Sequence, residues 1–268
     1  MSTHPFDQAI ALNPLPDGTC SGHTSPDYAN MVGPYGGITT AQALQAVLQN
    51  PACLGEPVSL TVNFCAAVAD GPFVVQAWAA RTNRSTQHWM IEMRQGDEVV
   101  ITGTAVTAVR RETWGVDEEP MPLCPPPHET PLPTQQAPMA FLQRYELRGI
   151  TGDLPAAWDG SGHSSLTQLW VRDAPPRPLD FASLSAMADI FFPRVFIRRA
   201  THVPVGTVSM TVYFHASGAQ LAETGTGYLL GQARAQAFRN GFFDQSSQLW
   251  NEAGVLLVTT HQIVYYKG

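Results

Sequence analysis

The chain has 268 residues, 44% of them apolar, and a formal net charge of −7. This size allows one large domain or two small ones with a real hydrophobic core, and the apolar content excludes a disordered protein. The acidic balance argues against a general nucleic-acid binder, which needs an excess of lysine and arginine to displace counterions.

The N-terminal residues show no feature of a signal peptide. Met1 to Asn13 carries no basic cluster, and Pro5, Asp7 and Pro14 interrupt its apolar stretch. No segment approaches the roughly 20 consecutive apolar residues that span a bilayer. We therefore expect a cytoplasmic protein that does not enter the membrane.

The residue types that hold metals or form disulfides are scattered. The four cysteines lack a CxxC pair, and the chain is too large to need disulfides, so we expect reduced, partly buried thiols at Cys20, Cys53, Cys65 and Cys124. The eight histidines show no HExxH or paired spacing. We expect neither a metal nor a cofactor.

One helix is predicted ahead of a run of strands in each half of the chain. Gly37 to Gln49 has apolar residues spaced for a largely buried helix, and a counterpart runs from about Phe181 to Phe192, ending at Pro193. Between the halves, the proline-dense stretch from Trp114 to Pro138 cannot form a helix or a central strand. The chain then divides into an N-terminal unit (1–115), a Pro-rich linker (116–138) and a C-terminal unit (139–268).

The strands of the two halves repeat each other. Ser59 to Phe64 returns as Ser209 to Phe214, an offset of 150 residues (209 minus 59). Val99 to Thr102 returns as Leu256 to Thr259 at an offset of 157, so one insertion of seven residues between Ala216 and Gly231 reconciles the matches. Consecutive strands usually pair antiparallel. The pattern predicts an α+β tandem duplication: two curled antiparallel sheets, each wrapped on a central helix.

Several segments resemble the acyl-CoA thioesterase II family. Val32 to Leu44, with its Gly-Gly step and Gln-Ala-Leu sequence, resembles the start of that family's first central helix. Thr207 to His215 resembles the long strand of the second half, and Gly254 to Gln262 resembles the last strand. The resemblance spans about Gly33 to Tyr266. It implies a tandem (double) hotdog fold and the hydrolysis of fatty acyl-CoA to free fatty acid and CoA.

The resemblance also implies a catalytic set, formed by Asp189 on the second helix, Thr207 on the next strand and Gln262 on the last strand. These side chains would hold and polarise a water that attacks the thioester carbonyl, with the Asp accepting its proton. Ser209 and Thr211 remain alternatives to Thr207, because a register error of two residues keeps a side chain on the same face of a strand.

The number of active sites follows from the placement of one acid. Asp189 is the only carboxylate in the second predicted helix, and the first has none. A buried acid is costly unless it is hydrogen-bonded or used, so we expect one site per chain. The alternative is that Asp189 lies on the exposed side of its helix. Gly36 and Gly37 would offer backbone N–H groups to the substrate carbonyl, although two glycines also suit a tight turn.

The ligand would be bound by apolar and basic residues. An apolar channel for the acyl chain would lie beside the helices, near Met187, Phe191 and Phe192, which are otherwise core residues. Arginine suits the phosphates of coenzyme A, although a solvated surface position is the more common fate of any one arginine. The candidates are Arg194, Arg198, Arg199 and Arg234.

Two other functions remain open. A hotdog acyl-CoA hydratase or dehydratase shares fold and ligand, but the chain lacks the Asp-x-Asn-Pro-x-His segment of such enzymes. A duplicated hotdog that only binds acyl-CoA or lipid needs no catalytic set. Exposed outer strands also lead us to expect a homodimer or a higher homo-oligomer.

Overall fold

The computed structural model describes residues 3–133 and 138–268. The helices found there are α1 (Pro5–Ala9), α2 (Gly36–Leu48), α3 (Phe181–Met187), α4 (Arg194–Arg199) and α5 (Gly218–Thr224). The strands of the first half are β1 (Asn13–Pro14), β2 (Cys20–His23), β3 (Glu56–Phe64), β4 (Pro72–Thr82), β5 (Thr86–Gln95) and β6 (Glu98–Ala108). Those of the second half are β7 (Tyr145–Thr151), β8 (Thr167–Asp173), β9 (Val205–Phe214), β10 (Leu229–Arg234), β11 (Phe238–Arg239), β12 (Phe242–Asn251) and β13 (Leu256–Tyr266).

The strands form one large antiparallel sheet, where the sequence predicts two. Their order is β1-β2-β4-β5-β6-β3-β9-β13-β12-β10-β8-β7, with β11 paired to β12, so the second half mirrors the first. Pairing of β3 with β9 joins the halves, because it satisfies backbone groups that two separate sheets would leave at free edges. In that pair Thr61 faces Thr211, its own counterpart at the offset of 150, with their hydroxyl oxygens 3.0 Å apart.

The two central helices pack against each other and against the sheet. α2 begins and ends within one residue of its predicted bounds, and ten of its residues are buried. α3 ends at Met187, five residues earlier than predicted, and the unpredicted α4 follows it. The ring of Pro193 is incompatible with a helical carbonyl four residues earlier, at Asp189, so the helix cannot continue to Phe192.

A further helix accounts for the insertion in the second half. The segment between β9 and β10 contains α5, which has seven residues and no counterpart between β3 and β4. Ser217 and Gln220 form a capping box that starts this helix. Despite this insertion, the strands on either side of α5 pair in the same order as their counterparts in the first half.

The Pro-rich segment packs on the second half of the sheet. The indole N–H groups of Trp170 and Trp250 donate to the carbonyl oxygens of Pro125 (2.9 Å) and Glu119 (3.3 Å). Both indoles share a face of the sheet with Leu230, which pairs with each of them. The segment thus covers aromatic residues on this face. Part of the predicted linker, residues 134–137, lies outside the described residues.

The structure also bears on the cysteines, on possible metal ligands and on membrane-spanning helices. All four cysteines are free thiols, with Cys65 exposed and the others partly buried. Within residues 3–133 and 138–268, no three His, Cys, Asp or Glu side chains come together as metal ligands. No helix in the same ranges has the length and apolarity needed to cross a bilayer.

Candidate active site

Asp189 lies in the turn that follows α3, one residue beyond the helix cap, and not on the helix as predicted. Its backbone N–H bonds the carbonyl of Ala186 (3.1 Å), which closes the last turn tightly. Its side chain extends toward β13, where Gln262 Nε2 donates to Asp189 Oδ1 at 2.7 Å. Gln262 itself is 4% exposed. The structure therefore brings two of the three predicted catalytic residues into direct contact.

Thr207 joins this pair through an irregularity in β9. Its Oγ1 donates to Gln262 Oε1 at 3.4 Å. A bulge at Val208 makes Thr207 the partner of Val264, while Ser209 pairs with Ile263. Because side chains of paired residues share a face, the bulge places Thr207 on the same face as Gln262.

The two alternatives to Thr207 lie on the opposite face. Ser209 Oγ donates to Asn63 Oδ1 (2.8 Å), and Thr211 contacts Thr61, both at the junction of the two halves. Strict alternation along the strand would put all three hydroxyls on one face. Of the three hydroxyls, that of Thr207 is the one on the face of Gln262.

Two glycines let the N-terminus of α2 approach the Asp189 carboxyl. A Cβ on Gly36 would lie 2.8 Å from Asp189 Oδ2, and a Cβ on Gly37 would lie 2.5 Å from the carbonyl oxygen of Ala186. The backbone N–H of Gly37 lies close enough to the Asp189 carboxyl to oppose the rise of its pKa. Within the described part of the chain, the N–H of Gly36 has no partner. The helix dipole adds positive potential at this point.

The surroundings of Asp189 hold its carboxyl near the midpoint of its titration at neutral pH. Burial raises its pKa to about 7, against the opposing effect of the hydrogen bonds from Gln262 and Gly37. Nearby, the Tyr35 hydroxyl donates to the carbonyl of Ala186 at 2.5 Å and fixes α2 to the end of α3. Burial, aided by the negative charge of Asp189, raises the pKa of Tyr35 well above its ordinary value. With its pKa of about 7, the Asp189 carboxyl can accept a proton at neutral pH.

The matching positions in the first half carry no such chemistry. Ala105 stands in β6 where β13 has Gln262, as their pairings with Leu60 and Met210 show. A bulge recurs in β3, and it gives Pro57 the position of Thr207. The framework of the site is therefore present twice, and its polar side chains only once.

The face of the sheet beneath Asp189 is polar beyond the predicted residues. Gln245 and Ser247 of β12 pair with Gln262 and Thr260 of β13, and all four side chains are buried. Ser247 Oγ donates to the carbonyl of Ala188 at 3.4 Å. Sequence reasoning missed this patch. Aligning the halves position by position would have indicated it, because the equivalent residues are Trp89, Ile91, Gly103 and Ala105.

The remaining predicted ligand contacts separate into core and surface. Met187 and Phe191 are buried in the core, while Phe192 is partly buried. Arg194 is fully buried, so it cannot meet a phosphate at the surface. Arg234 is exposed at the end of β10. Exposed Arg198 and Arg199 line an open groove of about 430 Å³ together with Arg239, which the sequence argument did not include.

Comparisons with known proteins show a match to family models and a match to solved structures. The models of the acyl-CoA thioesterase N-terminal and C-terminal domains match residues 25–108 and 121–266. A conserved protein of unknown function with a hot dog fold, from Alicyclobacillus acidocaldarius, is 45% identical, with a TM-score of 0.94 over 100% of this chain and 99% of that chain.

Two more solved structures share the fold at lower identity. A putative thioesterase II from Thermobifida fusca is 19% identical, with a TM-score of 0.85 over 100% of this chain and 99% of that chain. A tesB protein from Mycobacterium avium subspecies paratuberculosis is 19% identical, with a TM-score of 0.81 over the whole of both chains. The comparison with curated proteins gave no match.

Proposed function

Because the chain belongs to the acyl-CoA thioesterase family, we propose that it hydrolyses fatty acyl-CoA to a free fatty acid and CoA. One observation carries the proposed mechanism. A carboxyl with a pKa of about 7, that of Asp189, is bonded to the carboxamide of Gln262 beside the glycines that start α2. Attack of water on a carbonyl requires a proton acceptor for the water and positive potential for the carbonyl oxygen. The Asp189 carboxyl can supply the first, and the N-terminus of α2 can supply the second.

In the proposed reaction Asp189 acts as general base on a water molecule. Gln262 holds the carboxylate through Nε2, and Thr207 bonds the other end of the same carboxamide. The water oxygen bonds to the thioester carbon while its proton passes to Asp189, and the negative charge moves to the carbonyl oxygen. The free N–H of Gly36 and the dipole of α2 stabilise that charge. The C–S bond then breaks, and the thiolate of CoA takes the proton from Asp189.

The basic groove beside α4 is our candidate for the phosphates of CoA. Arg198 and Arg199 follow the buried Arg194 by about one helical turn, and Arg239 comes from the hairpin formed by β11 and β12. Arginine forks match phosphate oxygens. An Arg239→Ala variant should therefore raise KM for acyl-CoA more than KM for an acyl-pantetheine, which lacks the nucleotide phosphates. An equal effect on both substrates would place the phosphates elsewhere.

We make three further proposals, on domain division, assembly and location. We interpret residues 1–115 and 139–268 as tandem hotdog units, connected by 116–138. Several apolar side chains remain exposed on the strands, among them Trp78, Met90, Tyr213 and Ile263, and they favour a homodimer or a higher homo-oligomer. Sedimentation at several protein concentrations tests the assembly. Fractionation of cells that produce the protein tests the expected cytoplasmic location.

The experiment that tests the function is thiol release from short-, medium- and long-chain acyl-CoAs. We expect wild type to release CoA and Asp189→Asn to lose about 10²- to 10⁴-fold in kcat, the range for loss of a general base. Asp70→Asn, in an exposed loop, is the matched control.

Binding of acyl-CoA without release of thiol from any ester would contradict hydrolysis and favour a binding protein. Addition of water to an enoyl-CoA would favour a hydratase.

A further inference from the structure

A buried arginine adjoins the candidate site and has no acidic partner within the described residues. Arg194 is fully buried at the start of α4. Its Nη1 donates to Thr167 Oγ1 (2.7 Å) and to the carbonyl of Ser165 (3.0 Å), and its Nε and Nη2 both donate to the carbonyl of Phe192. A guanidinium held by this many acceptors has one orientation.

The same arginine fixes the side chain of Gln245. Arg194 Nε donates to Gln245 Oε1 at 2.9 Å. Because a guanidinium only donates, the carboxamide oxygen must face Arg194 and the amide nitrogen must face away from it. Gln245 is 2% exposed and lies directly across the ladder from Gln262, on the same face. Within the described part of the chain its Nε2 has no hydrogen-bond partner.

A comparison of the two halves indicates that Gln245 serves the site and not the fold. Its equivalent in the first half is Trp89, the ladder partner of Ala105. There an apolar ring fills the space, and its indole N–H is satisfied by Thr107 Oγ1 at 3.1 Å. An amide whose donor bonds no other residue adds nothing to packing, and a fold that only needed packing would not require it.

We propose that Gln245 donates a hydrogen bond from Nε2 to the carbonyl oxygen of the bound thioester, and that Arg194 is the positioning residue that orients this carboxamide. The inference rests on the proposed hydrolysis. It adds a side-chain donor to the backbone N–H of Gly36, which the proposed reaction already uses. A cation bonded to Oε1 also polarises the amide, which strengthens the bond that its N–H donates.

Two substitutions of Gln245 separate its role in catalysis from its role in packing. Gln245→Met keeps the length and volume and removes both polar atoms. Gln245→Glu keeps an acceptor for Arg194, now as an ion pair, and replaces the donor with a second acceptor oxygen. We expect each to lower kcat about 100-fold or more, the usual cost of one oxyanion donor, with KM nearly unchanged. The Glu variant should retain at least the melting temperature of wild type.

Arg194→Lys and a matched control complete the test. Lysine retains the charge but not the fork, so we expect a smaller loss in kcat, about 10-fold, from a carboxamide free to rotate. Gln248→Met, on the opposite face of the same strand, should leave kcat within about twofold. If both Gln245 variants keep wild-type kcat, the inference is wrong. If wild type itself releases no thiol, the proposed function fails first, so the two failures are distinguishable.

Discussion

Replacing Asp189 by Asn should make the protein more stable at alkaline pH and not at acidic pH. The carboxyl has a pKa of about 7 in the fold, against 3.8 as its ordinary value. Such a group stabilises the fold fully only below its unfolded pKa, and that contribution is lost as the pH rises to about 7. Asparagine does not titrate, so the variant keeps the stability that wild type loses as the pH rises.

The size of the effect follows from the two pKa values. Linkage between pH 5 and pH 8 gives at most about 3 kcal/mol for this shift, and we expect about 2 kcal/mol because the residue is partly exposed. Asparagine also has one acceptor oxygen where the carboxyl has two, and the loss of that acceptor costs about 1 kcal/mol. That loss is the same at both pH values, so it cancels in the comparison.

Urea unfolding of wild type and Asp189→Asn at pH 5 and pH 8 measures this quantity directly. The difference in unfolding free energy, variant minus wild type, should grow by about 2 kcal/mol from pH 5 to pH 8. Asp70→Asn, in an exposed loop, is the control for the substitution itself. The same titration should appear in kcat/KM of wild type as a rise through about pH 7. A difference that is equal at both pH values would refute the buried, high-pKa carboxyl on which the mechanism depends.

Three further outcomes are expected. Thr207→Val should lower kcat about 10-fold, the cost of one hydrogen bond to the site, whereas Ser209→Ala, on the other face, should stay within about twofold in the same thiol-release assay. Gly36→Ala should abolish most activity because its Cβ meets the site carboxyl, while Gly115→Ala, which points into open space, should not. Asp173→Asn should raise the melting temperature at pH 8 but not at pH 4, because burial raises the pKa of that carboxyl to about 6; a gain of equal size at both pH values would contradict this.

The duplication is the part of the fold that sequence alone predicts well, because alternation and turns repeat at fixed offsets. Ser59 to Phe64 and Ser209 to Phe214 occupy equivalent places in β3 and β9. The joining of both halves into one sheet is harder to predict, since alternation shows which residues face the core but not which edges meet. The path of the Pro-rich segment is equally hidden, because proline excludes helix and strand and says nothing about packing surfaces.

Within the site, the residue types were predictable and the geometry was not. Asp189 stands out by charge in an apolar segment, but its place after α3 depends on Pro193 and on a tightened last turn. The side on which Thr207 lies depends on a bulge at Val208, and no residue type marks that bulge in the sequence. Gln245 was missed because a glutamine in an alternating strand is unremarkable until it is matched with its equivalent in the first half.

The duplication also explains how one chain tolerates a site this polar. A buried carboxyl and a buried guanidinium without an acidic partner each destabilise the fold. In the first half, Trp89, Ala105 and Pro57 occupy the equivalent ladder positions with apolar packing. Because β3 and β9 pair through the centre of one sheet, the apolar half stabilises the half that carries the site. Ala105→Gln should therefore lower the free energy of unfolding without creating a second site, since α2 carries no carboxylate.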